Sequence, residues 1–177
     1  MDPRDAIDLL SGAVSRGPAV WADLGAGTGT FTHALAALLG PGSRIYAVDR
    51  DPRALARLRR IVPHDHVTVV PVSANFTHPV DLGAEPLDGV LLANALHFVA
   101  SPDAVVGWWA ARVRPHGRVV IIEYDQRRAS RWVPYPIPSA GIPALAAAAG
   151  LGTPSIIATR PSAFDGVLYV AVAHRLP

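Results

Sequence analysis

The stretch "WADLGAGTGTF", Trp21 to Phe31, sets Gly25, Gly27 and Gly29 at every second position after an apolar run. Glycine tolerates positive φ and lets the backbone approach a ligand, so such a run marks a strand-to-helix turn wrapped around a bound group. The dinucleotide fingerprint places glycine at its first, third and sixth positions. Counting from Gly25, the sixth position is Thr30, and Asp23 precedes the turn. A carboxylate beside a pyrophosphate would repel it. The same carboxylate suits a ligand that carries positive charge.

Working outward, apolar β-rich runs alternate with helical patterns. Strands are expected at 19–24, 44–49, 67–72, 87–94 and 117–125, each apolar along nearly its whole length, as strands covered on both faces are. Helices are expected at 29–40, 51–62 and 101–115, the last two opening on Asp-Pro and Ser-Pro, a cap residue ahead of proline. After a proline-rich loop at 132–139, an alanine-rich helix is expected over 139–150 despite Pro143, then two strands, 154–160 and 166–174. Too few residues join these two for a parallel crossover, so they pair as an antiparallel hairpin. The expected fold is α/β: a Rossmann-like, seven-stranded, mostly parallel sheet with one antiparallel strand near its edge and helices on both faces. Residues 1–177 form one domain, with 1–18 an N-terminal helix and lead-in.

Composition narrows the class. Half of the 177 residues are hydrophobic and 17% are charged, which excludes a disordered chain. There is no cysteine, so disulfides and thiolate metal sites are excluded and a reducing, cytoplasmic setting is expected. Every basic residue counted toward the net charge of +2 is arginine. These are scattered apart from "RLRR" (57–60) and "RRASR" (127–131), which argues against a nucleic-acid surface. The first residues carry acids and helical periodicity where a targeting segment is cationic. The most apolar stretch, 87–100, is too short to span a bilayer. "HDH" (64–66) reads as a surface turn, since two histidines lack the further ligands of a metal site.

"DLGAGTGTF" resembles motif I of the class I S-adenosylmethionine (SAM)-dependent methyltransferases. The resemblance implies that Asp23 helps hold the methionine end of SAM and that Gly25, Ala26, Gly27, Thr28 and Gly29 bring the backbone to it. Asp49, at the end of the second strand, is placed to accept hydrogen bonds from both ribose hydroxyls, with Arg50 beside it; Asp51 serves better as the cap of the next helix. In "SANF" the family's acidic adenine reader is replaced by Asn75, whose carbonyl still accepts from an amine, with Phe76 to cover the ring. Asn75 as a turn cap, or Ser73 as the reader, are the competing readings. The fourth strand runs into "LLANALHF", matching the motif that faces both cofactor and substrate and bringing Asn94 and His97 near the methyl group. "ANALHF" (93–98), "EYD" (123–125) and "WVPYP" (132–136) are similar to small bacterial methyltransferase-like proteins.

Methyl transfer from a sulfonium needs mainly alignment, and a base only where the acceptor must lose a proton. His97 is the candidate base, its ordinary pKa lying near neutrality. Tyr124 is the candidate for orienting the acceptor, with Asp125 beside it; both could instead simply end the strand. At least one of Trp108 and Trp109 is expected on the sheet, while Trp132 either packs in the core or covers the acceptor pocket. The absence of the N/D-P-P-Y/F tetrapeptide argues against an adenine-N6 or glutamine methylase. The expectation is a SAM-dependent methyltransferase yielding S-adenosylhomocysteine, acting on a small molecule, with no metal and no membrane partner. The site is short of enclosing material, and a second subunit (a homodimer), a large partner or the proline-rich loop would complete it. The rival readings are a SAM-binding protein without transferase activity, an RNA methyltransferase and an NAD-dependent oxidoreductase.

Overall fold

The apolar runs become seven strands, β1 Val20–Leu24, β2 Ser43–Asp49, β3 Val67–Ser73, β4 Leu87–Ala93, β5 Val113–Asp125, β6 Ser155–Pro161 and β7 Val167–His174. The computed structural model describes residues 1–61, 66–83, 85–162 and 166–177, so His64 and Asp65 of "HDH" and part of the β6–β7 link lie outside it. The sheet order is β3-β2-β1-β4-β5-β7-β6. β7 runs antiparallel to both neighbours, as the short link requires, and the other pairings are parallel. The chain leaves β1 toward one edge and returns at β4 toward the other. A crevice therefore opens above the C-terminal ends of these two strands, where open α/β sheets bind ligands.

Among the described residues five α-helices cover the sheet: α1 Pro3–Leu10, α2 Thr30–Leu38, α3 Pro52–Ile61, α4 Pro102–Ala110 and α5 Ile142–Ala148. Side chains alternate across a strand, so Trp21, Leu91 and Ile122 pack under α1, α2 and α3, while Ala22, Leu92 and Ile121 pack under α4 and α5. Two apolar faces explain why the strands read as unbroken hydrophobic runs.

Several boundaries and caps differ from expectation. α4 stops at Ala110, and 113–115 belong to β5, which starts four residues earlier than expected. Buried Val113 pairs with Leu87, and the register then slips before Gly89 pairs with Arg118, where His116 adopts φ 63°. Gly29 is the cap of α2 rather than its first residue. Asp51 caps α3 through the Arg53 N–H at 2.8 Å, but Ser101 makes no side-chain cap bond to α4. The helix expected at 139–150 is a 3₁₀ turn, Ser139–Gly141, followed by α5 with Pro143 in the first turn, where no N–H is needed.

Trp109 is fully buried, and its indole N–H donates to the Phe76 carbonyl at 2.9 Å, tying α4 to the loop after β3. Trp109→Phe keeps most of the packing and removes that bond. We expect a loss of about 1–2 kcal/mol in urea-unfolding stability. Trp132 is 68% exposed, under the Arg131 guanidinium, and so is not part of the core.

Candidate functional site

The turn from β1 into α2 is built on left-handed backbone, with φ of 76° at Gly25, 56° at Gly27 and 97° at Gly29. A side chain at Gly25 would place its Cβ 2.6 Å from the Ala95 Cβ, so the turn lies directly against the segment after β4. Gly29 has a packing reason as well, since its Cβ would meet Leu58 of α3 at 2.8 Å.

The turn's N–H groups face inward. Gly25 and Ala26 donate to the Val48 carbonyl, Gly27 to the Asp49 carboxylate at 2.8 Å, and Gly29 to the Ala26 carbonyl. A phosphate-binding turn aims such groups at its ligand. This one has used four of them to fix its own shape and that of Asp49.

Two clefts meet at the turn and share Gly25 and Asn94. The first, about 330 Å³, is walled by Asp23, Gly25, Ala26, Gly27, Thr28, Asn94 and Tyr124, with Met1 and Asp5 of the N-terminal segment at its rim. The second, about 370 Å³, is walled by Asp49, Arg50, Asn75, Phe76, Ala95 and Phe98. All but two of the residues expected from the sequence therefore stand in one wall or the other. The exceptions are Gly29 and His97.

Asp23 is 1% exposed and accepts a 2.6 Å hydrogen bond from the Thr32 hydroxyl. Burial pushes its carboxyl up to about 7; the Thr32 bond opposes this and the Asp49 charge adds to it. Asp49 accepts from Gly27 N–H on one oxygen and Asp51 N–H on the other, leaving lone pairs on both. Asn94 adopts φ 53°, and its side-chain oxygen is buried with no hydrogen-bond partner, at the junction of the two clefts. An orphaned buried acceptor on strained backbone is a feature of ligand sites.

Asn75 behaves differently from expectation. Its carbonyl accepts from the N–H and hydroxyl of Thr77 at 3.1 and 3.0 Å, closing an Asx turn. Its amide NH₂, a donor, remains for cleft contacts. Ser73 is in neither wall.

His97 sits in a 3₁₀ turn, Leu96–Phe98, and is 3% exposed. Its Nδ1 lies 2.7 Å from Glu123, a buried carboxylate that sequence reasoning passed over. The ring stands 6.1 Å from that of Tyr124, centroid to centroid. Burial holds the Tyr124 hydroxyl above its ordinary pKa, with Arg127 pulling the other way, so this group is a neutral donor and acceptor near pH 7. Among the described residues no group of three or more His, Asp or Glu is arranged to hold a metal, and no helix is long and apolar enough to cross a membrane.

Residues 22–119 match the model of a family described as methyltransferase domain. No curated protein matches the sequence. Among solved structures, the chain superposes with a TM-score of 0.75 on the 1,6-didemethyltoxoflavin-N1-methyltransferase of Burkholderia thailandensis, solved with 1,6-didemethyltoxoflavin and S-adenosylhomocysteine. Identity there is 25%, over 99% of this chain and 78% of that one. The CcbJ methyltransferase of Streptomyces caelestis gives 0.71 at 20% identity, covering 99% and 95%. The magnesium protoporphyrin IX methyltransferase of Synechocystis, solved with SAM, gives 0.67 at 17% identity, covering 98% and 77%.

Proposed function

This chain belongs to the methyltransferase-domain family, as a class I SAM-dependent methyltransferase, and we propose that its acceptor is a small molecule received beside Tyr124. The observation that carries the reading is the pair of clefts meeting at Gly25 and Asn94, with the buried Asp23 carboxylate in one wall and Asp49 in the other.

The residues present fit SAM. Asp23 provides a carboxylate for an ammonium group, and the partnerless Asn94 oxygen awaits a donor at the junction. Asp49 has lone pairs left for two ribose hydroxyls, flanked by Arg50. Phe76 can cover an adenine face, and the Asn75 NH₂ can donate to a ring nitrogen in place of the acidic reader. Gly25, Ala26, Gly27 and Thr28 supply a surface without bulk. When bound, SAM supplies an electrophilic methyl group on a sulfonium sulfur. On the protein side, Tyr124 orients the acceptor from the cleft wall, and His97, outside both walls with its ring 6.1 Å from that of Tyr124, is the base for an acceptor that must lose a proton and reaches past Tyr124.

Two of the similar structures are named for small molecules, 1,6-didemethyltoxoflavin and magnesium protoporphyrin IX. This supports the same class here. Calorimetry should show S-adenosylhomocysteine binding and no NAD binding. Labelled-methyl transfer from SAM should then reach small N- and O-nucleophiles in an acceptor panel. Methyl transfer only to an RNA or protein fraction would overturn the small-molecule reading.

A further inference from the structure

We infer that Glu123 is the positioning residue of the site. One oxygen clamps the turn after β4, and the other fixes which nitrogen of His97 carries the proton. The inference rests on the reading of His97 as the group that receives the acceptor's proton.

Glu123 lies near the end of β5 with its side chain 1% exposed. A carboxylate withdrawn from water to that extent is strongly unfavourable unless donors replace the lost hydration. Three donors do so. The backbone N–H groups of Leu96 and His97 reach one oxygen at 3.0 and 3.1 Å, and His97 Nδ1 reaches the other at 2.7 Å. All three come from a single turn about 26 residues away in sequence, brought alongside by the parallel β4–β5 pairing.

The two oxygens do different work. The first satisfies N–H groups at the start of the 3₁₀ turn that would otherwise lack partners. One residue earlier on β5, the Ile122 carbonyl accepts the Asn94 N–H at 2.8 Å. Consecutive groups of β5 thus hold both ends of the Asn94–His97 segment, and with it the φ 53° conformation of Asn94, whose side-chain oxygen lies where the clefts join. The second oxygen, an acceptor only, requires a proton on Nδ1. In the neutral ring Nε2 is then the basic nitrogen.

Glu123→Gln separates the two roles. The glutamine carbonyl still accepts both backbone N–H groups, while its NH₂ faces Nδ1 and drives the proton to Nε2. Side-chain ¹⁵N NMR on the histidine-labelled protein, followed from pH 6 to 9, should show the neutral His97 ring as the Nδ1–H tautomer in the wild type and the Nε2–H tautomer in the variant. S-adenosylhomocysteine affinity should change by less than about threefold, and methyl transfer should fall about 100-fold or more, the scale of a general base. Glu123→Ala removes the clamp as well and should weaken S-adenosylhomocysteine about tenfold or more, the effect of losing a buried charged acceptor. A wild-type His97 protonated on Nε2, or on both nitrogens throughout this range, overturns the inference; so does a Glu123→Ala protein that binds S-adenosylhomocysteine normally. The NMR and binding measurements need no acceptor. They therefore decide the role of Glu123 even where the acceptor panel fails, and such a failure would count against the proposed function instead.

Discussion

Asp49→Ala is expected to weaken S-adenosylhomocysteine binding by about 10²- to 10⁴-fold while the protein stays folded. Hydrogen bonds to a charged group contribute about 1.5–3 kcal/mol each, and two ribose hydroxyls would be lost together. A third effect acts through the turn. The Gly27 N–H loses the acceptor that helps hold Gly27 at φ 56°, so the wall shared with the methionine end of the ligand also loosens. The folded state has less at stake, because Asp49 is only half-buried and the orphaned N–H groups can reach water. Asp51→Ala is the matched control. It removes the Arg53 cap bond two residues away, at a cost of about 1 kcal/mol in stability, and should leave the affinity unchanged. Calorimetry of both variants checks the pair. Equal affinities in wild type and Asp49→Ala would mean that the ribose is held elsewhere.

The contrast between Asp49 and Asp51 shows what a sequence can reveal. Asp51 precedes proline at the start of a helical pattern, so the capping role had an owner and Asp49 was left for another. The reversed β7 was legible because a short link cannot cross a sheet, and the turn because its glycines and Asp23 disfavour a pyrophosphate ligand. Glu123 was not legible. An acid after "RVVII" reads as the end of a buried strand, and nothing local says that its partners lie on another turn. The Asn75 carbonyl follows the competing reading, a turn closed within two residues by Thr77. Locality hid the start of β5, where apolar residues continue past Trp109 in a pattern that a helix fits equally well. Ser101 had the right neighbour for a cap and makes no such bond. Patterns fix elements and turns because their causes lie within a few residues. Site chemistry here depends on groups joined only by strand pairing.

Asp23→Asn should move stability and binding in opposite directions at pH 8. In the unliganded wild type, burial holds the Asp23 carboxyl at about 7 against an ordinary 3.8. An acid whose pKa is raised on folding binds protons more tightly in the native state. The protein is therefore most stable below the unfolded value and loses stability as pH rises from about 4 to about 7. A shift of this size corresponds to about 4 kcal/mol. Asparagine keeps an oxygen for the Thr32 hydroxyl and carries no charge, so the unliganded variant should lack that decline. It should melt on the order of 10 °C above wild type at pH 8 and close to it at pH 4. Binding has the opposite sign. The ligand's ammonium requires the ionised carboxylate, so wild-type affinity for S-adenosylhomocysteine should fall by up to about tenfold for each pH unit below 7. The variant should be flat over the same range and about 10- to 100-fold weaker at pH 8. Thermal melts and calorimetry at pH 5 and 8 test both halves. A wild-type affinity indifferent to pH, or a variant no more stable than wild type at pH 8, would remove Asp23 from the binding site or its charge from the interior. The opposite signs share one cause: the burial that disfavours the carboxylate in the free protein strengthens its attraction for a cation brought into the same cleft.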